Sequence, residues 1–385
     1  MSELIPLSVP CIQGNEWKYI KECLDTGWIS SGRFLKKFED AICMFTGSKY
    51  AISCASGTAA LHISLKIAGV SPNDEVIVPT LSFIASVNAV KYLNSYPVFT
   101  DCDDYYNMDI EKTIDFINKK TFLKNGFTYN KSTKRRISAI IPVHVFGNAV
   151  HLENLIGICK ERNIRIVEDA AESLGTFYKK GLYKKKHTGT IGDIGCLSFN
   201  ANKIITTANG GMILTNNLEY AEKAKFLISQ AKNDEIRYIH NEIGYNYRLT
   251  NIQAALGVAQ LEKLPEYIKI KKNNYKLYKS QIDNIAGLFL AEPPHYAESN
   301  YWFYCLQIDK NRYGKDREQL MGHLYNNKIQ TRPIWFLNHL QKPYINCQNY
   351  KIEKALELIE KTLNIPCSIN LKNDEIQKII SKLKF

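Results

Sequence analysis

The chain of 385 residues predicts an α/β fold built on a largely parallel sheet. Short apolar runs alternate with amphipathic stretches over most of its length, the pattern of β-strands crossing over through helices. Apolar residues make up 45% and charged residues 23%, a composition that can bury a large core. No internal repeat or low-complexity segment interrupts the alternation.

Residues 15–25 read as a helix, followed by a turn at Gly27-Trp-Ile-Ser-Ser-Gly32 and a second helical stretch over 33–47. Tyr50-Ala-Ile-Ser-Cys54 is a short strand, and 58–68 a helix with Leu61, Leu65 and Ala68 on one face. Glu75-Val-Ile-Val-Pro79 is a buried strand, Ile84 to Leu93 a helix, and Tyr96 to Asp101 again a strand. A helix over 109–119 leads into a basic loop over 120–136 that has turn residues and no periodicity. Ile137 to Val143 is a strand ending at His144, and a helix over 151–162 precedes the strand Ile164 to Asp169. After a Gly/Lys-rich loop at 175–192, residues 195–216 read as a buried strand, a polar turn and a second strand entered through Gly210-Gly211. Residues 218–229 are helical, 232–249 polar and aromatic, and 251–284 long and amphipathic. A strand at Tyr301 to Ile308, a helix at 315–326 and a terminal helix carrying Ile376, Ile379, Ile380 and Leu383 complete the chain. The expected division is a large α/β domain over 1–250 and a smaller α+β domain over 251–385, bridged by the long helix.

Composition also narrows the function. No run of 18 or more apolar residues is present, so no membrane span is expected. The first residues lack a basic segment followed by an apolar one, which predicts a cytoplasmic protein. Ten scattered cysteines, without a C-x-x-C pair or matching histidines, predict reduced, mostly buried thiols and no metal. The net charge of +12 is spread along the chain with no nucleic-acid motif beside it, so nucleic acid is not the expected partner.

Three local patterns could carry chemistry. In Ser56-Gly57-Thr58 a strand runs into the start of a helix, where free N–H groups suit an anion; an ordinary N-cap reads the same way. Asp169 ends an apolar strand, where ligands of open α/β sheets bind; it is either a helix cap or a partner for a protonated ligand nitrogen. Ser198 and Lys203 share a turn between strands, as surface residues or as a phosphate contact and a buried nucleophilic amine. Together they fit pyridoxal phosphate, which needs a phosphate cradle, a carboxylate at its pyridine nitrogen and a lysine for its aldehyde. Phe83, just past the strand 75–79, is placed to cover the ring face, unless it is a core residue.

The chain resembles the sugar aminotransferases of the DegT/DnrJ/EryC1/StrS family, which have fold type I of the pyridoxal-phosphate enzymes, like aspartate aminotransferase. The resemblance runs over nearly the whole chain, through Gly27-Trp-Ile-Ser-Ser-Gly32, Ser56-Gly-Thr-Ala-Ala-Leu61, Glu168-Asp-Ala-Ala-Glu172, Ser198-Phe-Asn-Ala-Asn-Lys203, Gly210-Gly-Met212 and Tyr245-Asn-Tyr-Arg-Leu-Thr-Asn251. It implies that Lys203 forms the Schiff base, that Asp169 pairs with the pyridinium nitrogen and that Phe83 stacks on the ring. Gly57, Thr58 and Ser198 would hold the phosphate, and Glu172 would lie at the cofactor edge. Asn246 would reach the phosphate of a neighbouring subunit, which implies a homodimer with shared sites. The family often has Gly-Glu-Gly-Gly-Met where this chain has Ala208-Asn-Gly-Gly-Met212, which leaves the role of Asn209 open.

By the same resemblance the reaction is transamination from L-glutamate to a keto group of a nucleotide-diphosphate sugar. Relatives in which histidine replaces the lysine are dehydratases; Lys203 is present. Asn202-Lys-Ile-Ile-Thr-Thr207, Ile329-Gln-Thr-Arg-Pro-Ile-Trp335 and Leu337-Asn-His-Leu-Gln341 look most like enzymes of legionaminic acid and bacillosamine biosynthesis, which act on UDP-4-keto-6-deoxy-N-acetylglucosamine. A GDP-perosamine-type or dTDP-sugar enzyme is the alternative, and a non-catalytic regulator on the same fold is another. Candidate substrate contacts are Ser30, His144, Lys232, Arg237, Arg332, Trp335 and His339.

Overall fold

The computed structural model describes residues 4–234 and 236–384. Its main sheet has eight strands in the spatial order Tyr50–Cys54, Gly211–Thr215, Ile194–Ser198, Arg165–Asp169, Ile137–Ile140, Glu75–Pro79, Tyr96–Thr100 and Asn349–Tyr350. Only Gly211–Thr215 runs antiparallel to its neighbours; the other pairings are parallel. The expected strand–turn–strand over 195–216 is therefore an antiparallel pair inside an otherwise parallel sheet, with Gly211 opposite Ser198.

Strand periodicity of two decides what covers each face. Ile52, Cys196 and Ile213 face one way, into a core with Ala60, Ile63 and Val87. Their chain neighbours Ala51, Leu197 and Met212 face the other way, onto Phe34, Phe38, Ala254 and Leu264. The first side is covered by the helix Gly57–Ile67, which is buried on nearly all sides. The second is covered by the helices Glu16–Thr26 and Arg33–Thr46 and the 32-residue helix Asn251–Ile282. That long helix starts on a capping box, Thr250 with Gln253.

The helix then runs on to a four-stranded antiparallel sheet: Leu288–Leu290, Tyr304–Ile308, Thr362–Ile365 and Arg332–Pro333. Its core joins Tyr278 and Ile282 to Ile376, Ile379, Ile380 and Leu383, the residues whose spacing marks the terminal helix, Asn373–Ser381. The chain crosses between these units more than once. Ile5 bridges Ile329 beside the small sheet, while Asn349–Tyr350 returns to edge the large one.

The expected basic loop over 120–136 and the polar segment over 232–249 both contain strands. The basic stretch after residue 120 is a hairpin of Thr121–Lys124 and Phe127–Asn130. Its turn is Asn125-Gly126, at φ 51° and 77°, the left-handed pair that a two-residue hairpin turn requires. The polar segment after 232 contains a second small hairpin, Lys232–Asp234 with Ile239–His240. Among the described residues, no helix is long and apolar enough to cross a membrane, and no cluster of His, Cys, Asp or Glu could hold a metal. The ten cysteines are unpaired, eight of them buried.

Candidate active site

The carboxyl ends of the central strands converge on a cavity of about 230 Å³ that contains Gly57, Thr58, Phe83, Asp169, Glu172, Ser198, Asn202, Lys203 and Asn209. Trp302, Phe303 and Trp335 close it from the side of the small sheet. A larger groove of about 750 Å³ lies around Asp103, His151 and Tyr296, and holds none of the chemical motifs.

The helix Gly57–Ile67 presents its N-terminus to the cavity. Ser56 caps it by accepting from the Ala59 N–H at 3.0 Å. The N–H groups of Gly57 and Thr58, in the unsatisfied first turn, remain available to an anion. Gly57 is needed because a Cβ there would stand 2.8 Å from the Ser198 Cβ. The approach sets the Ser198 hydroxyl beside those N–H groups. It accepts only a long 3.4 Å contact from the Asn200 N–H, so its own proton is free to donate.

Asp169 is 5% exposed at the end of its strand. Ser86 donates to its Oδ2 at 2.5 Å and the Ala171 N–H to its Oδ1 at 3.1 Å. No helix follows Asp169, so Oδ1 caps a turn and not a helix, while the carboxylate borders the cavity. Phe83 is 54% exposed and meets Trp335 edge-on, with centroids 6.1 Å apart, so it is a cavity wall and not a core residue.

Lys203 and Glu172 face each other across 3.6 Å, both nearly inaccessible. Burial pushes the Lys203 amine below its ordinary value, against the opposing pull of Glu172 and Asp169. Burial likewise pushes Glu172 up to about 7, against Lys203 and the Phe146 N–H that donates to it at 2.8 Å. Each group is thereby moved toward its neutral form, the form in which an amine acts as nucleophile or base.

These residues suit pyridoxal phosphate: a cradle that a Cβ at Gly57 would fill, a carboxylate and an amine at separate cavity walls, and a buried Asn202 Oδ1 without a partner among the described residues. Asn209 also lines the cavity. Its carbonyl accepts from Gln253 Nε2 at 2.6 Å and from the Thr207 hydroxyl at 2.9 Å, so this turn is pinned to the cap of the long helix. Beside it Ala208 stands at φ 65°. A left-handed alanine costs about 1–2 kcal/mol, so Ala208→Gly should raise stability by about 0.5–1 kcal/mol after the added freedom of the unfolded chain. Urea unfolding at fixed cofactor saturation measures this.

Of the candidate substrate contacts, only Trp335 reaches the cavity. His144 is fully buried, its Nδ1 accepts from the Val150 N–H at 3.0 Å, and its Nε2–H must therefore point to Glu168, 2.9 Å away. With both ring nitrogens engaged, it holds the strand end and does not line the cavity. Burial pushes Glu168 up, but His144 and the N–H groups of Gly192 and Gly189 outweigh it and keep that carboxyl below its usual range. Ser30 is exposed away from the cavity, its carbonyl accepting from the Asn251 N–H. Arg237 pairs with Asp234 at 2.8 Å, and Lys232 sits in the same hairpin, over Tyr238. Arg332 is exposed and donates to the Thr331 carbonyl, and His339 Nδ1 contacts the Thr80 hydroxyl at 2.6 Å. Asn246 is exposed outside its own chain's cavity and bridges Ser229 through backbone. Ser86, Trp302 and Phe303 were not anticipated. Ser86, three residues past Phe83, was within reach of a reading of that turn; Trp302 was hidden in a strand-like run.

The chain is similar to known proteins in sequence and in fold. The family model for DegT/DnrJ/EryC1/StrS aminotransferases covers residues 10–384. The chain is 35% identical over 390 residues to the GDP-perosamine synthase of Caulobacter vibrioides, covering 100% of this chain and 99% of that protein. It is also 35% identical over 374 residues to the GDP-perosamine synthase of Escherichia coli O157:H7, covering 97% and 95%. The crystal structure of the aminotransferase TlmJ from Streptoalloteichus hindustanus superposes with a TM-score of 0.87 at 26% identity, over 99% of this chain and 98% of the other. With its α/β fold of type I, the chain belongs to the DegT/DnrJ/EryC1/StrS aminotransferase family and is a pyridoxal-phosphate-dependent sugar aminotransferase.

Proposed function

We propose that this enzyme transfers the amino group of L-glutamate to the C4 keto carbon of a nucleoside-diphosphate-linked 4-keto-6-deoxyhexose. The observation that carries the reading is the buried Lys203 amine opposite Glu172, in a cavity bordered by Asp169 and the Gly57–Thr58 helix start. Bound pyridoxal phosphate supplies an aldehyde for amines and a ring that withdraws electrons. Gly57, Thr58 and Ser198 would hold its phosphate, Asp169 would keep its ring nitrogen protonated, and Phe83 would cover the ring. Lys203 Nζ is the atom that takes and returns the proton of the donor carbon. The aromatic wall of Trp302, Phe303 and Trp335 keeps water from that atom. Asn246 serves the phosphate site of a second copy, so the working unit is a homodimer.

For the nucleotide, the two GDP-perosamine synthases that align end to end support a GDP-linked sugar. The second reading is UDP-4-keto-6-deoxy-N-acetylglucosamine, favoured by the motifs at 202–207, 329–335 and 337–341. Purified enzyme with L-glutamate and, in turn, the GDP-, UDP- and dTDP-linked keto sugars separates them. Turnover should be fastest with the GDP sugar; preference for the UDP sugar overturns the first reading in favour of the second, and no turnover with any of the three rejects both.

A further inference from the structure

Lys203 has two neighbours, and the carboxylate is the less well placed. Glu172 Oε1 is 3.6 Å from Nζ, beyond the range of a good N–H···O bond. On the other side, Nζ stands 3.9 Å from the centroid of the Trp302 indole, well within reach of a cation–π contact. We propose that Trp302 is a positioning residue for Lys203: its ring face seats the lysine amine whenever Nζ is not joined to the cofactor, and favours the protonated amine there.

The indole is fixed for that purpose. Its Nε1–H donates at 2.8 Å to the carbonyl of Asn202, the residue before Lys203. Its backbone N–H donates at 2.9 Å to Asn300 Oδ1, and its ring stacks on Phe303 with centroids 4.1 Å apart. Asn300 is fully buried, and its Nδ2 donates to the carbonyls of Glu172 at 2.8 Å and Leu174 at 3.0 Å. One asparagine side chain thus ties the two neighbours of the amine to each other. Burial alone drives a lysine toward its neutral form. A π face stabilises the cation without adding a second carboxylate, so the amine can gain and lose a proton beside Glu172 without being locked in an ion pair. The seat serves any keto sugar, so it stands or falls apart from the choice of nucleotide.

The test uses full-length enzyme carrying the amino form of the cofactor, in which Lys203 is a free amine. Trace labelling with acetic anhydride across a pH series, read by mass spectrometry of the Lys203 peptide, gives the pH midpoint of that amine. Trp302→Met keeps apolar bulk without a ring and should lower the midpoint by about one pH unit. Trp302→Phe keeps a ring face and should stay close to the parent. An unchanged midpoint in Trp302→Met, or an equal shift in Trp302→Phe, overturns the proposal. A second measurement preserves the shape of the site: enzyme made with mono-, di- and trifluorotryptophan should show a midpoint falling stepwise with fluorine content. A flat series also overturns it.

Discussion

A Lys203→Ala enzyme is expected to lose transamination by at least about 10⁴-fold, the upper end of what one positioned acid–base group supplies, and to lose the visible absorbance of lysine-bound cofactor. The geometry explains why no neighbour can substitute. Glu172 is pushed toward its neutral form by burial and is already held by the Phe146 N–H. Asp169 is a carboxylate held in place by the Ser86 hydroxyl and the Ala171 N–H, and offers no amine. The remaining wall is aromatic. Lys203→Arg, which keeps a cation but offers no nucleophilic amine, should be equally inactive. Because the cradle at Gly57, Thr58 and Ser198 is untouched, both variants should still bind the cofactor, detectable by equilibrium dialysis. Activity within tenfold of the parent would remove Lys203 from the role assigned to it.

What could be read from the residues was local. Gly57, Asp169, Ser198 and Lys203 each lie where a strand meets a turn, and the order of those junctions encodes the site. Trp302 and Asn300 work only because the small sheet is brought across the cavity about a hundred residues later in the chain, at separations from Lys203 and Glu172 that no periodicity records. Tyr301, between them, sits at φ 55°, in a turn held by Ser299 Oγ, which accepts from the Tyr301 N–H at 3.0 Å, and by Asn300 Oδ1, which accepts from the Trp302 N–H at 2.9 Å. The charged candidates lie outside this chain's cavity for a related reason. Charge is visible in a sequence but direction is not: Arg237 turns back to Asp234, three residues away. His144 looked like a strand-end ligand contact, as Asp169 did, yet Glu168 and Val150 use both of its nitrogens. The hairpin at Asn125-Gly126 was legible in principle, since Asn-Gly between strand-like runs is a strong turn signal, and the surrounding lysines and arginines masked it.

Gly211→Ala should weaken cofactor binding about 30- to 100-fold while leaving Lys203 and Asp169 chemically intact. Gly211 lies where three strands abut, opposite Ser198 on one side and Cys54 on the other. A Cβ there would stand 2.3 Å from the Ser56 carbonyl oxygen and 2.6 Å from the Gly57 nitrogen. Both are backbone atoms locked into a strand end and a helix start, so neither can rotate aside. The methyl group must displace the helix terminus, and the N–H groups of Gly57 and Thr58 move off the position that Ser198 completes. Overpacking of this kind costs about 1–3 kcal/mol, and placing roughly 2–3 kcal/mol of it on the phosphate site gives that range of affinity. Gly210→Ala is the control. Its Cβ meets the Thr207 hydroxyl at 2.2 Å, a side-chain atom that can turn away at the cost of its bond to the Asn209 carbonyl. Cofactor titration should therefore show a loss of tenfold or less for Gly210→Ala. Equal losses in the two variants would mean that the tight approach of Gly211 to the helix start does not build the phosphate cradle.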